Sequence, residues 1–219
     1  MRIIMIILCI ALAAAFIYEE KQEKYTAAVI LKGLASACFV TLGFMNSSGS
    51  AAAKTICTGL VLGCIADILL NLRFVFKEQG QKIFLVGILV FLSGHIAYLI
   101  AVMPFNPNPL VSFVAAAVLT ALLMKWIFTK IEAEKAFKIF GIVYLGAIVF
   151  LNIAAFANLF ANSGSFFKVF AAGTFLFLIS DIVLILNTFG PETKFSLRVT
   201  NLSLYYLGQI LIAMSLTLL

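Results

Sequence analysis

The chain alternates between apolar stretches of about twenty residues and short polar breaks, a pattern that few folds accept. A helix crossing the roughly 30 Å hydrocarbon layer of a bilayer needs about 20 mostly apolar residues, each adding about 1.5 Å. Eight stretches meet that requirement: approximately 3–18, 26–45, 54–72, 82–103, 109–129, 135–158, 165–187 and 197–218. The breaks are polar or rich in turn formers: EEKQEK (19–24), NSSGS (46–50), RFVFKEQGQK (73–82), PFNPNP (104–109), the run 130–135, ANSGS (161–165) and the stretch around NTFGPETK (187–194). Each is short, so neighbouring helices are expected to run antiparallel. The expected fold is all-α, a polytopic membrane protein with about eight transmembrane helices and a single transmembrane domain over residues 1–219. Arg2, an apolar run and Ala13–Ala15 also give the first stretch the outline of a signal peptide. It is expected to remain as a span, because seven more follow.

Charge confirms the class. Only 11% of the 219 residues are charged and 64% are hydrophobic, whereas a soluble domain carries about 25% charged residues. So sparse a set could not cover a water-facing surface. A soluble enzyme, a nucleic-acid-binding domain and a disordered chain are thereby excluded. The net charge of +6 reflects basic residues at span ends and implies no nucleic-acid partner.

Their placement predicts orientation. Eleven of the 15 Lys and Arg residues lie in or beside loops 1, 3, 5 and 7. Arg2, Lys54 and Lys168 lie on the other side, and Lys32 falls inside a span. The expectation is a cell-membrane protein with odd loops cytoplasmic and both termini outside. All seven Glu residues lie in the odd loops, whereas the only two Asp residues, Asp67 and Asp181, lie inside spans.

An ionisable side chain near the bilayer centre costs on the order of 2.5–3.5 kcal/mol on insertion scales, so such residues usually face a protein interior and serve a function. Asp67, Asp181 and Lys32 each stand about 8 Å in from the same side by helix rise. His95 is deeper, and Tyr205, Tyr206 and Gln209 lie at middle depth in the last span. A purely structural bridge between Lys32 and one Asp would leave the second Asp without a partner.

GLVLGCIADILL (59–70) and GTFLFLISDIVL (173–184) align without gaps. Gly59 falls on Gly173 and Asp67 on Asp181, and the same offset places Gly94-His95 on Gly208-Gln209. Spans 3 and 4 thus correspond to spans 7 and 8. This is the pattern of a parallel 4+4 internal repeat, which would bring the two Asp to face each other across a pseudo-two-fold axis.

Other chemistries lack their residues. One His cannot build a three-His zinc site. The four Cys (9, 38, 57, 64) have no C-x-x-C spacing and read as small buried hydrophobes. No spacing supports a Ser–His–Asp triad, and no phosphate loop or dinucleotide fingerprint is present. No metal or cofactor is expected. Any chemistry must run on carboxylates, phenols, one imidazole and water.

With FLVGILVFLSGHIAYL (84–99) and LYYLGQILIAMSL (204–216), the two aligned segments resemble the YhhN-like family of eight-span membrane proteins, whose animal members are lysoplasmalogenases. The G-x-x-x-F-x-x-G-H-x-x-Y run from Gly87 to Tyr98 and the paired G-x7-D segments carry the likeness. Where the family usually has Lys-Pro in span 2, this chain has Lys32-Gly33. The resemblance implies hydrolysis of the vinyl ether bond of a lysoplasmalogen to a fatty aldehyde and glycerophospho-ethanolamine or -choline.

Vinyl ethers are cleaved by acid. A proton adds to the β-carbon, water captures the oxocarbenium ion, and the hemiacetal collapses. The site needs a carboxyl group that carries a proton and a second group that stabilises positive charge and orients water. Two carboxylates in one low-dielectric layer disfavour double ionisation, and glycosidases use two carboxylates around a similar transition state. Asp67 and Asp181 are therefore the expected catalytic residues. Lys32, Asn71, His95, Tyr98, Tyr205, Tyr206 and Gln209 are the expected contacts to substrate or water. The lysophospholipid's tail would lie among membrane lipids and apolar side chains, with its phosphate near Arg73, Lys77 and Arg198. The competing expectation is a proton-coupled transporter or lipid-handling protein. No span has a mid-helix Pro; all four Pro (104, 107, 109, 191) lie in loops.

Overall fold

The structure is a computed structural model that describes residues 1–132 and 135–219. The described residues contain eight α-helices and no strand: α1 (Arg2–Lys21), α2 (Tyr25–Asn46), α3 (Ala51–Val75), α4 (Gly80–Val102), α5 (Pro109–Ile127), α6 (Lys135–Ala161), α7 (Ser165–Phe189) and α8 (Phe195–Ser215). Single 3₁₀ turns occupy Lys77–Gln79, Met103–Phe105 and Leu216–Leu218. All eight helices are long and apolar enough to cross a membrane. Several run past the apolar stretches, as α3 does by three residues at each end. Hydropathy marks the hydrocarbon segment, whereas Lys, Arg and Glu are good helix formers and let helices continue into the polar boundary.

Local chemistry sets the helix starts. Ser50 caps α3 by accepting a bond from the Ala53 amide at 3.2 Å, after Gly49 turns the chain at φ +78°. Asn108 caps α5 by accepting from the Val111 amide at 3.2 Å, with Pro109 in the first turn. These are the residue types that satisfy orphan amides at helix starts.

The chain forms two compact units. Unit 1 comprises Met1–Ala101 with Ile212–Leu219, and unit 2 comprises Val102–Leu211. In unit 1, α2 packs against both α1 and α3. The family-like motif on α4 turns out to be a packing stripe. A Cβ on Gly87 would come 2.9 Å from Leu70, one on Gly94 would come 3.3 Å from the Gly59 carbonyl oxygen, and the Tyr98 ring occupies the space above Gly59. In unit 2, α6 packs against α5 and α7. There the Asn158 side chain donates to the Val102 carbonyl at 2.9 Å and that of Asn162 to the Phe105 carbonyl at 3.4 Å, satisfying carbonyls that a helix end leaves open.

The aligned glycines make the same contact in each unit. A Cβ on Gly94 would meet Gly59 O at 3.3 Å and Gly63 N at 3.8 Å, and one on Gly208 would meet Gly173 O at 2.8 Å and Phe177 N at 3.2 Å. Each position corresponds to its counterpart at the sequence offset of the repeat. Close backbone approach through small residues is how helices associate where no hydrophobic effect drives them together. Gly208→Ala should therefore force α7 and α8 apart and cost about 1–3 kcal/mol. Gly141→Ala, whose Cβ would meet only Met124 at 3.8 Å, should be neutral or stabilise by about 0.4–1 kcal/mol. Thermal unfolding in detergent, followed by circular dichroism, checks both.

Candidate functional site

In unit 1 the side chains on the α2/α3 seam form a buried polar cluster. Lys32 and Ser36 stand one turn apart on α2, and Asp67 and Asn71 one turn apart on α3. All four are at most 3% exposed. The Lys32 ammonium lies 3.1 Å from Asp67 Oδ1 and donates to Asn71 Oδ1 at 3.1 Å. Ser36 Oγ donates to Asp67 Oδ2 at 2.6 Å. Phe16 of α1 places its ring centroid 5.4 Å from the same ammonium. Both carboxylate oxygens are thus held, one by a cation and one by a hydroxyl. The Asn71 Nδ2 group, also buried, has no hydrogen-bond partner among the described residues.

Gly33 lets the two helices approach at this level. A Cβ there would already stand 3.2 Å from the Ile68 side chain. The departure from Lys-Pro at Lys32-Gly33 therefore falls where α2 lies against the Ile68 side chain of α3, and the lysine still reaches its carboxylate.

The other expected residues of unit 1 lie on α3, on α4 and in the turn between them. His95 is buried on α4 and meets the edge of Phe91 at 5.7 Å. Tyr98 packs over Gly59. The Arg73 guanidinium lies 4.6 Å from the Phe74 ring and 4.4 Å from the Phe84 ring, while Lys77 is exposed.

Asp181 is 1% exposed in unit 2, and Tyr144 of α6 donates its phenol to Asp181 Oδ2 at 2.7 Å. The expectation that a Lys32–Asp bridge leaves the second Asp without a partner is therefore corrected: a phenol inside an apolar run supplies one. The preceding residue, Ser180, is locked to α8, since its Oγ donates to the Asn201 carbonyl at 3.0 Å and Asn201 Nδ2 returns a bond to Ser180 O at 2.9 Å. One turn further along α8, Tyr205 stacks edge-on with Phe177 and with Tyr206, both at 5.1 Å, and receives the Gln209 amide at 3.4 Å.

Ser36, Tyr144 and Asn201 escaped the sequence reading. Ser36 had a signal, being one helical turn from Lys32 on the same face. Tyr144 had none, since a phenol in an apolar span reads as a packed aromatic.

These features define a class: a multi-span helical membrane protein with a carboxylate buried in each of two similarly packed units. A sequence model of the YhhN family matches residues 27–216. The chain belongs to the YhhN family. No curated protein and no solved structure matches it.

Removing one member of a buried ion pair leaves the other charge uncompensated, at a cost of about 3–5 kcal/mol. Lys32→Ala should show that loss in unfolding in detergent. The double change Lys32→Met with Asp67→Leu should recover most of it, because a buried pair and its apolar replacement are close in stability.

Proposed function

We propose that the protein hydrolyses the vinyl ether bond of a lysoplasmalogen, releasing a fatty aldehyde and a glycerophospho-base. The observation that carries this reading is the Asp67 cluster: a carboxylate held by Lys32 and Ser36 inside an apolar span, beside an Asn71 amide with an unused donor. A buried polar atom left open calls for an explanation. An ether oxygen, a glycerol hydroxyl or a water molecule would each accept from it. Family membership adds to the reading.

The chemistry balances without a metal or redox partner. A carboxylic acid gives its proton to the β-carbon of the vinyl ether, and the double bond becomes an oxocarbenium ion. Water adds to the α-carbon, the one bonded to the ether oxygen, and returns a proton to a carboxylate. The hemiacetal C–O bond then breaks, giving the aldehyde and the glycerol hydroxyl. Asp67, already placed against an ammonium, takes the anionic part and steadies positive charge as it forms. Asp181 takes the proton-donor part, with Tyr144 orienting its carboxyl group. Lys32, Asn71, His95, Tyr98, Tyr205, Tyr206 and Gln209 take positioning parts, and the lysophospholipid and surrounding membrane lipids are the partners.

General acid–base groups contribute about 10²–10⁴-fold to rate. Asp67→Asn and Asp181→Asn should therefore each lower aldehyde release from lysoplasmenyl-ethanolamine at least a hundredfold, scored by mass spectrometry on purified protein. Full activity in either variant would sink the assignment. Substrate uptake into liposomes without aldehyde release would favour the carrier reading instead.

A further inference from the structure

One face of α5 in unit 2 is bare. Val114, Val118, Leu122 and Trp126 stand at four-residue intervals, the spacing of a ridge on a helix surface, and each is 46–62% exposed. Ser112, Ala116, Thr120, Met124 and Ile127 form the buried side of the same helix. By helix rise the bare file is about 18 Å long, comparable with the roughly 15 Å that half a hydrocarbon core gives one acyl chain. It ends at the end of the span in Trp126, the only tryptophan of the chain. An indole there favours the level of the lipid head groups.

Three cations gather at that end. Lys125 and Lys130 are exposed, on either side of the last turn of α5. Lys138, near the start of α6, holds its ammonium 5.6 Å from the Phe128 ring. Phe128 follows Lys125 by three residues, a spacing that makes side chains neighbours on a helix, so the ring draws Lys138 towards Lys125. The connection is anchored: the Lys130 amide donates to the Ile127 carbonyl and the Glu132 amide to the Phe189 carbonyl, both at 2.8 Å. The Phe137 and Phe189 rings meet at 5.7 Å. Among the described residues none of the three ammoniums is in an ion pair, and Glu132, exposed in the same connection, leaves three cations to one anion. The odd loops of unit 1 differ. There five basic residues stand with four Glu, against six with three in unit 2, and Lys24 is already paired with Glu19 at 3.5 Å.

An apolar file that ends among cations complements an acyl chain joined to a head group of net negative charge. A zwitterionic head would set its own ammonium among three lysines, and a soluble anion would leave the file unused. We propose that the end of α5 binds one anionic phospholipid of the surrounding bilayer. Its phosphate is held by Lys125, Lys130 and Lys138, its glycerol lies level with Trp126, and a chain runs along Leu122, Val118 and Val114. This lipid is a partner and is not hydrolysed, so the proposal goes beyond the hydrolase reading and does not rest on it.

Bromine on an acyl chain quenches tryptophan fluorescence on contact, so Trp126 reports its own lipid neighbours. The full-length protein is placed in phosphatidylcholine vesicles with a fixed fraction of brominated lipid, as phosphatidylglycerol in one series and as phosphatidylcholine in the other. The wild type should prefer the brominated phosphatidylglycerol by at least about fivefold in relative association constant, what one lysine near an anionic surface supplies. Changing Lys125→Gln, Lys130→Gln and Lys138→Gln together should bring the two lipids within about twofold. Changing Lys21→Gln, Lys24→Gln and Lys82→Gln together, an equal loss of charge in the loops of unit 1, should keep the preference. Soluble glycerol phosphate should not reverse the quenching. Equal quenching by the two lipids in the wild type would overturn the proposal. So would a preference that survives the unit 2 changes, or one that falls equally with the unit 1 changes, since bulk charge and not a site would then be at work. Reversal by glycerol phosphate would assign the lysines to a soluble anion. Quenching that disappears in both series as protein concentration rises would assign the bare face of α5 to a second copy of the chain. Either result also overturns the proposal.

Discussion

A charge inside a bilayer persists only where protein supplies its counter-charge, and the Lys32–Asp67 rung is where unit 1 meets that condition. An ion pair at 3.1 Å tolerates no slippage. Apolar helix seams have many near-equal registers, whereas a seam with one buried charged rung has one. The other α2/α3 contacts follow that register. Gly33 lies against Ile68, Gly43 against Leu60, and Tyr25 against Phe74. Ser36 and Asn71 then sit one turn to either side of the pair and complete the hydrogen bonds that a buried ion pair needs to persist.

Unit 2 keeps the packing and brings a different side chain, Tyr144, to its Asp. The contact of Gly208 with Gly173 reproduces that of Gly94 with Gly59, so the backbone geometry around the two Asp residues is shared. The partners come from corresponding helices, α2 and α6, but not from corresponding residues. Asp67 meets an ammonium and a hydroxyl, while Asp181 meets a phenol. The repeat supplies the scaffold, and its divergence at the partner helix changes which side chains reach each carboxyl group.

How much of this was legible depended on how local the signal is. The eight spans were readable because hydropathy is a property of consecutive residues. The glycine contacts were foreshadowed by the alignment of Gly94-His95 with Gly208-Gln209. Depth alone put Lys32 level with both Asp residues and could not choose between them; the choice rests on which helix α2 packs against, a tertiary fact. Tyr144 was invisible because a phenol costs little to bury and resembles a core aromatic until its hydroxyl is located. The helix ends moved because Lys and Glu mark the edge of the hydrocarbon and not the end of hydrogen bonding.

The same reasoning links the two rungs of the α2/α3 seam. Helix geometry, not flexible loops, sets their separation, since seven residues of α2 and seven of α3 run between them. Two turns of paired helix therefore hold the Tyr25–Phe74 stack and the Lys32–Asp67 pair at a spacing that side-chain motion barely alters. The ion pair fixes the register at one level, and the aromatic stack is the consequence of that register two turns away.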